Sequence, residues 1–454
     1  MPNWAEDAVF YHIYPLGLCD APPRNDFNAP VTPRLEQLHG WLDHLKNLGV
    51  NALYLGPLFE SSTHGYDTAD YYRVDRRLGS NQTLSELSEA LHQKGIRLVL
   101  DAVFNHVGRD FWAFRDVQEK GPHSPYCDWF YRLDFSQRSP RGDAFSYEAW
   151  EGHYDLVKLN VLNPQVREHL FGAVAQWITD YKIDGLRLDA ADQIDIGFLQ
   201  ELAAFCKNIR PDFWLMGEII HGDYRRWANH ETLDSVTNYE CYKGLYSSHN
   251  DRNYFEIAYS LNRQFGPDGI YRHLSLYNFA DNHDVNRVAS TLRNKAHLYP
   301  LYALLFTMPG IPSLYYGSEW GLEGKKAGGD DRPLRPALDL ASMTESGQTE
   351  LVKTIGQLAQ IRLDSPALRY GSYQQLMVTN QQLSFSRMTP EEVIIVVVNS
   401  DNNEVTLELN LTAPDGSHLV DLLNEGETFP VHNGKARIEK VWPEWARIMR
   451  LKLP

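Results

Sequence analysis

The sequence has few of the features that mark membrane, exported or nucleic-acid-binding proteins. No stretch approaches the ~20 consecutive apolar residues of a membrane span, and no basic segment precedes an apolar core at the N-terminus. Lys and Arg number 43 against 59 Asp and Glu, and the resulting net charge of −16 disfavours phosphate backbones and anionic lipids. We therefore expect a soluble cytoplasmic protein with no nucleic-acid or membrane partner.

Cysteine is also scarce. The four cysteines lie far apart and show no C-x-x-C spacing, which favours buried thiols over a disulfide framework or a zinc site. The sequence contains no G-x-G-x-x-G turn, no G-x-S-x-G nucleophile elbow and no H-E-x-x-H metal pair. Dinucleotide binding, acyl transfer and zinc hydrolysis therefore lack their signatures.

Short runs of strand character alternate with longer helical segments over most of the chain. This alternation predicts parallel β/α architecture. The strand-like runs are AVFYHIYPL, VNALYLGPLF, IRLVLDAVF, IDGLRLDA, FWLMGEII, SVTNYECY, HLSLYNFAD and IPSLYYGSE. Eight such units favour a (β/α)8 TIM barrel over an open doubly wound sheet, which often carries a glycine-rich first turn.

Composition and turn signals divide the chain further. We predict that residues 1–106 and 158–370 form the barrel and that residues 107–157 form a small inserted domain. The segment after the third strand is too long for a simple loop and is rich in Gly, Pro, Trp and Tyr. After residue 370, short strands punctuated by turns such as APDG and HNG predict a C-terminal all-β sandwich over 371–454.

Local signals predict several helix boundaries. Leucines from Leu35 to Leu48 recur at helical spacing, and Thr83 with Glu86 has capping-box spacing at the start of the next helix. Asn163 and Pro164 have the character of an N-cap and a first helical residue. Within KIDGLRLDAADQID, we expect Asp184 to be a turn residue before its strand, and Asp195 to cap the following helix.

Polar residues directly follow four of the predicted strands. Active sites of (β/α)8 barrels are built at these strand ends. A single Asp at a strand end is more often a helix cap. Several strand ends that carry Asp or Glu, two of them also with a histidine, are harder to explain as caps. The residues concerned are Asp101, Asn105 and His106, then Arg187 and Asp189, then Glu218, and then Asn282, His283 and Asp284.

Several carboxylates and an arginine in an aromatic-rich sequence suit the cleavage of glycosidic bonds. Two carboxyl groups about 5–5.5 Å apart give retention, because one attacks the anomeric carbon while the other protonates the leaving oxygen. Arg187 lies two positions before Asp189 on a strand, so we predict that it lowers the pKa of Asp189 and keeps this carboxylate ionised. The apolar FWLMG before Glu218 would favour a protonated acid.

The motifs DAVFNHVG, GLRLDAAD, GEI and FADNHD resemble, in this order, the four signature regions of the α-amylase family, glycoside hydrolase family 13. HGYDTADYYRVD and LVKLN resemble segments of its neopullulanase, cyclomaltodextrinase and maltogenic amylase branch. Members of this branch usually carry an additional N-terminal β-domain that assists dimerisation. The first predicted barrel strand begins by residue 8, so we do not expect that domain here, and the oligomeric state stays open.

The resemblance implies roles for the matching residues. Asp189 would be the nucleophile, Glu218 the acid/base, and Asp284 a third carboxylate that binds sugar hydroxyls. Arg187, His106 and His283 would bind the sugar at the cleaved bond, Tyr66 would stack on its face, and Asp101 would support the arginine. Asp331 and Arg335 resemble a pair that contacts the next sugar, although a surface ion pair explains the same spacing.

The sequence departs from the family pattern after the nucleophile. Where many relatives carry Lys-His, contacting acceptor sugars and a calcium ion, this chain has Asp192 and Gln193. We expect Asp192 to shape acceptor binding, and we predict no metal site and no required cofactor, with calcium through Asn105 as an open alternative. Glu240 is a further acceptor-side candidate, with a structural hydrogen bond as its alternative role.

These residues predict a retaining hydrolase of α-1,4-glucosidic bonds. Its partners would be α-glucans: maltooligosaccharides, cyclodextrins or pullulan. A transglycosylase, or an isomerase of the trehalose or sucrose type, would use the same covalent intermediate and is the alternative. A catalytically dead binding subunit is disfavoured, because all three candidate carboxylates are present.

Overall fold

Eight parallel strands form a barrel at the centre of the computed structural model, which describes residues 3–454. The strands are β1 Phe10–Ile13, β2 Ala52–Leu55, β3 Arg97–Ala102, β4 Gly185–Leu188, β5 Trp214–Gly217, β6 Ser235–Val236, β7 Tyr277–Phe279 and β8 Ile311–Tyr315. Hydrogen bonding follows the order β6-β5-β4-β3-β2-β1-β8-β7, and a parallel bridge from Thr237 to Tyr277 joins the two ends of this order. The (β/α)8 prediction is therefore confirmed.

Helices connect the strands. Asn163 caps its helix as predicted, because its side chain accepts from the N–H of Gln165 at 2.8 Å. Asp195 likewise caps the helix that follows it, accepting from the N–H of Phe198 at 3.0 Å. The α-helices are Pro15–Leu18, Leu42–Asn47, Asn81–Gln93, Trp112–Lys120, Pro164–Asp180, Ile196–Ile209, Tyr239–Asn250, Phe255–Phe265, Val288–Thr291, Leu298–Thr307, Leu340–Ser346, Thr349–Leu363 and Pro366–Tyr370.

One predicted helix start was wrong, and one predicted helix has a different form. The helix Asn81–Gln93 begins earlier than the Thr83–Glu86 spacing suggested, because Ser80 and Thr83 form a reciprocal capping box one turn upstream. The leucine-rich segment before β2 is mostly a 3-10 helix over Arg34–Trp41, followed by a short α-helix. Leucine periodicity does not separate these two forms, because a short 3-10 helix can bury leucines at nearly the same spacing.

The sixth strand is shorter than predicted. Only Ser235–Val236 is extended, because the side chain of Asn238 accepts from the N–H of Cys241 and starts a helix at Tyr239. Glu240 therefore lies in the first turn of a helix and not at a strand end, which corrects its predicted position.

Asp184 precedes β4 and is a buried ion-pair centre, not the turn residue that we predicted. Its carboxylate accepts from Arg97 at 2.7 Å, from Arg210 at 2.6 Å and from the N–H of Leu98 at 2.8 Å. His92 lies 2.8 Å from the same group. Burial opposes ionisation, but these partners lower the pKa of Asp184. Asp184 thus stabilises the end of β4 opposite to Asp189.

A three-stranded antiparallel sheet of strands His106–Gly108, Ala149–Trp150 and His153–Lys158 lies between β3 and β4. A separate hairpin of Phe59–Ser61 and Thr68–Val74 follows β2. Both insertions leave the barrel at the carboxyl ends of its strands, where the predicted site residues lie.

Eight antiparallel strands follow the barrel. Ile395, Val431 and Ile438 belong to a core shared by several of these strands, as a sandwich requires. Cys19, Cys206 and Cys241 are buried, and all four cysteines are free thiols. No helix within residues 3–454 has the length and apolar character needed to span a membrane. The C-terminal strands are Ser372–Val378, Gln382–Met388, Val393–Asn399, Val405–Asn410, His418–Asp421, Thr428–His432, Lys435–Val441 and Trp445–Lys452.

Candidate active site

Arg187 is the centre of the site. Its Nη1 atom donates to Asp189 Oδ1 at 2.8 Å and to Asp101 Oδ1 at 2.9 Å, and its Nη2 atom lies 2.8 Å from Glu218 Oε2. All of these side chains are largely buried. The parallel register explains the convergence, because Asp101 on β3 and Met216 on β5 both pair with Arg187 on β4. The structure therefore brings the polar ends of three neighbouring strands together.

Three carboxylates share this one guanidinium. Burial raises the pKa of Asp189. Arg187 lowers this pKa, whereas the negative charges of Glu218 and Asp101 raise it further. Burial also raises the pKa of Glu218, against the same arginine. We predicted that Arg187 would lower the pKa of Asp189, but burial and the neighbouring anions outweigh this one cation. Asp189 and Glu218 therefore titrate as a pair that retains a proton more readily than isolated carboxyl groups do.

Asp284 lies beyond β7 in a different electrostatic environment. His283 Nε2 lies 2.9 Å from its Oδ2 atom, and Arg335 Nη2 donates to its Oδ1 atom at 2.9 Å. Burial opposes ionisation, but His283 and Arg335 outweigh it and hold the pKa of Asp284 well below its ordinary value. Asp284 is therefore the most firmly ionised carboxylate of the site.

Tyr66 packs beside these groups. Its ring is stacked on His283 at 5.4 Å between centroids, with an angle of 8° between the planes. Its hydroxyl donates to Asp101 at 3.0 Å and also contacts His283. The resemblance assigned Tyr66 to stacking on a sugar, and the structure places the ring in the predicted cluster.

His106 has one ring nitrogen directed at the site. Asn105 Nδ2 lies 3.2 Å from His106 Nδ1, which leaves Nε2 to carry the proton. Nε2 lies 3.9 Å from Asp189 Oδ2 and is buried with no hydrogen-bond partner in the described part of the chain. Burial lowers the pKa of His106 to about 3, so the ring is neutral at ordinary pH. It can therefore donate one hydrogen bond to a neutral ligand.

Three functional candidates escaped the sequence analysis. Ala190 adopts a left-handed backbone with φ 44°, and its N–H donates to Glu218 Oε2 at 3.2 Å. The hydroxyl of Tyr239 lies 3.5 Å from Glu218 Oε1 and accepts from Asn282 at 3.3 Å. Tyr54 donates to Asp101 at 2.7 Å. Only Tyr54 could have been found from the sequence, because the alternation of side chains along β2 places it on the inward side of the strand. The contacts of Ala190 and Tyr239 depend on the tertiary structure.

The remaining predicted residues lie further from Arg187. Arg335 Nη2 donates to Asp331 at 3.2 Å, so the predicted pair exists and also reaches the pocket through Asp284. Asp192 is half-buried on a 3-10 turn just after Asp189. Glu240 is paired with Arg263 at 2.5 Å, which matches its alternative, structural role.

Metal sites made of His, Cys, Asp or Glu side chains were sought among the described residues. No group of three or more His, Cys, Asp or Glu side chains within residues 3–454 has the required arrangement. The amide of Asn105, the remaining candidate for calcium, contacts His106. This contact uses the amide nitrogen of Asn105 and not its oxygen, so the expectation that no calcium is bound stays a prediction.

Comparisons with known proteins agree with this geometry. Residues 34–350 match the family model of the α-amylase catalytic domain, and residues 373–439 match that of the maltogenic amylase C-terminal domain. A cyclomaltodextrinase of Bacillus sp. is 33% identical over 431 residues, covering 89% of this chain and 75% of the relative. Neopullulanase 2 of Thermoactinomyces vulgaris is 32% identical over 464 residues, which cover 96% of this chain and 76% of that protein.

A solved structure extends the similarity to the whole fold. The cyclic α-maltosyl-(1→6)-maltose hydrolase of Arthrobacter globiformis, in its ligand-free form, superposes with a TM-score of 0.82 at 29% identity. The match covers 99% of this chain and 100% of that one. The ordered motifs, the barrel with its carboxylate cluster and the match over residues 34–350 confirm the resemblance, and the chain belongs to the α-amylase family of glycoside hydrolases.

Proposed function

We propose that this enzyme hydrolyses α-1,4-glucosidic bonds of maltooligosaccharides, cyclodextrins or pullulan with retention of anomeric configuration. The observation that carries the proposal is the bridge by which Arg187 holds Asp189 and Glu218 side by side, each at 2.8 Å. Retention requires two carboxyl groups close together, with no space for a water molecule behind the sugar. A shared guanidinium favours such an arrangement.

The two carboxyl groups take different roles. Asp189 attacks the anomeric carbon, and the bond to the leaving oxygen breaks as Glu218 transfers its proton to that oxygen. In the second step, Glu218 takes a proton from water, the water oxygen bonds to the anomeric carbon, and Asp189 departs. Asp189 is free to attack because its Oδ1 is the atom that binds Arg187, which leaves Oδ2 facing the pocket near His106.

Glu218 is held so that one oxygen can carry the proton. Its Oε2 atom accepts from Ala190 N–H and is the atom nearest to Arg187, so this oxygen faces donors. Its Oε1 atom lies 3.5 Å from the hydroxyl of Tyr239, which can donate to this oxygen when it is ionised and can accept from it when it is protonated. The proton that a raised pKa retains therefore belongs on Oε1, which makes Oε1 the acid toward the leaving group.

The surrounding groups suit a neutral polyhydroxyl ligand. Asp284 is firmly ionised, His106 presents a buried unpaired donor, and Tyr66 presents an aromatic ring. Carboxylates and imidazoles bind pairs of sugar hydroxyls, while aromatic rings pack on the apolar face of a sugar. The names of the similar cyclomaltodextrinase, neopullulanase and cyclic maltosyl-maltose hydrolase support α-glucans as the substrate class.

Product analysis tests the proposal. Incubation with maltotriose, β-cyclodextrin and pullulan should release short sugars with a reducing end, and the first product should have the α configuration by proton NMR. A β product would refute retention. Formation of longer oligosaccharides from maltotriose, or of a non-reducing disaccharide, would instead support the alternative of a transglycosylase or isomerase with the same intermediate.

A further inference from the structure

Arg335 holds the loop that carries Asp284. Its Nε atom donates to the carbonyl of His283 at 3.0 Å, and its Nη2 atom donates to Asp284 Oδ1 at 2.9 Å. Its guanidinium also lies over the ring of Tyr14, 4.7 Å from the centroid. Arg335 itself lies in a loop, directly after the 3-10 helix Arg332–Leu334. The position of its side chain therefore depends on contacts that fix the backbone of this loop.

The residues on either side of Arg335 accept hydrogen bonds from two consecutive tyrosines. Tyr315 is the last residue of β8, and its hydroxyl donates to the carbonyl of Leu334 at 3.1 Å. The hydroxyl of Tyr316 donates to the carbonyl of Pro336 at 2.8 Å. Both rings are buried, with centroids 4.8 Å apart and an angle of 74° between the planes. The end of a barrel strand thus holds the backbone on both sides of Arg335.

Arg287 supplies a third donor to this backbone. Its Nη2 atom donates to the carbonyl of Leu334 at 2.8 Å, and its Nη1 atom donates to the carbonyl of Tyr316. The guanidinium is fully buried, and its central carbon lies 4.1 Å from the ring centroid of Tyr315 and 4.9 Å from that of Tyr316. Arg287 belongs to the same loop as Asp284. It therefore connects this loop to the backbone at Leu334.

The first α-helix, Pro15–Leu18, packs against the same segment. A Cβ atom added to Gly17 would lie 2.2 Å from the carbonyl oxygen of Arg335, so only glycine fits at this contact. Hydrogen bonds therefore hold the segment, and a close backbone contact confines it. Side chains of a functional site need to be held within about 0.5 Å of the productive geometry, and this packing gives Arg335 such support.

Three side chains, those of Arg287, Tyr315 and Tyr316, form what we call the cradle. We infer that the cradle positions Arg335, and through it the carboxylate of Asp284, for the reaction. All three side chains are too deeply buried to touch a sugar, so they act through Arg335. The inference deepens the proposed function and rests on it, because the orientation of Asp284 affects turnover only if this carboxylate binds the sugar at the cleaved bond. Without the cradle, Arg335 would keep its charge but lose its fixed position.

Removal of the two hydroxyls tests the inference. The double variant Tyr315→Phe/Tyr316→Phe keeps both rings and should lower kcat/KM on maltotriose about tenfold, because one lost hydrogen bond corresponds to a factor of about 2–10. In an Arg335→Met background, the same two substitutions should change kcat/KM by less than about twofold, since no guanidinium remains to be positioned. An equal loss in both backgrounds would reveal a general structural effect and overturn the inference, as would an unchanged kcat/KM of the double variant.

Arg287 has a matched control at the other end of β8. Arg362 is also fully buried, and it donates to the carbonyl of Gly310, directly before β8, at 2.7 Å. Arg287→Lys and Arg362→Lys should both lower Tm, but only Arg287→Lys should lower kcat/KM. Arg287→Met should lower kcat/KM further than Arg287→Lys, because methionine leaves no donor for the carbonyl of Leu334.

Equal losses of kcat/KM in Arg287→Lys and Arg362→Lys would contradict the inference. If Arg287→Met does not fold, the double tyrosine variant still decides, because it changes only two oxygen atoms. If the wild-type enzyme cleaves no α-glucan at all, the proposed function fails, and this outcome is visible before any variant is compared.

Discussion

Replacing Asp189 with Asn should raise the stability of the enzyme while it removes the activity. Asp189, Glu218 and Asp101 compete for Arg187 in a buried site, and burial raises the pKa of Asp189. A group whose folded pKa is raised contributes stability at low pH and loses it as pH rises through the folded pKa. At neutral pH the wild-type protein therefore bears the cost of this charge, and Asp189→Asn relieves it.

The expected rise in Tm of Asp189→Asn follows from a typical gain in free energy and the unfolding entropy of the chain. Single stabilising substitutions commonly give about 0.5–2 kcal/mol, and we expect Asp189→Asn to fall in this range. Unfolding entropy of ~2.1 cal/mol/K per residue makes about 1 kcal/mol/K for a chain of 454 residues, so Tm should rise by about 0.5–2 °C at pH 7.5. Differential scanning calorimetry from pH 4 to pH 8 should show a gain that grows with pH.

Asp184→Asn is the matched control, because Asp184 lies at the other end of β4 and its pKa is lowered by its partners. A group whose pKa is lowered in the folded protein stabilises it at pH values above the unfolded-state pKa, and this stabilisation is lost as pH falls. Asp184→Asn should therefore change Tm in the direction opposite to Asp189→Asn. Loss of a charged hydrogen-bond partner costs about 2 kcal/mol, and Tm should fall by about 2 °C near neutral pH and by less near pH 3. A Tm of Asp189→Asn below that of the wild type across the pH range would refute the argument, since it would mean that attraction by Arg187 dominates.

Other expectations concern activity. Asp189→Asn should lower kcat by several orders of magnitude with an unchanged circular dichroism spectrum, and near-normal turnover would contradict its role as nucleophile. Asp284→Asn should shift the basic limb of the residual kcat/KM profile to lower pH, because the charge of Asp284 helps to raise the pKa of Glu218; an unmoved limb would argue against this coupling. We propose that no metal is required, so dialysis against EDTA should leave both activity and Tm unchanged, and restoration of lost activity by calcium would contradict us.

The ordered motifs and the spacing of short strands were sufficient to predict the barrel, the C-terminal β-domain and the convergence of Asp101, Arg187, Asp189 and Glu218. These features follow from local rules. A strand alternates its side chains with period two, parallel strands share one carboxyl edge, and Asn163 caps a helix through its own backbone neighbours.

Features that depend on distant pairs could not be predicted in this way. We predicted that Asp184 is a turn residue because its ion-pair partners are not visible in the local sequence. Arg97 and Arg210 reach it from other elements of the structure. The prediction of a low pKa for Asp189 was wrong for a related reason. The neighbouring Arg187 is visible in the sequence, whereas the burial of Asp189 and the nearby charge of Glu218 are not.

The sequence by itself determined which residues could do the chemistry and at which edge of the barrel they would gather. The tertiary structure decided how the protons are shared and what surrounds the pocket. It placed the hydroxyl of Tyr239 against Glu218 and the ring of Trp150 against His106. The physical reason is that a side-chain type is fixed locally, whereas its desolvation and its partners are fixed only when distant segments pack together.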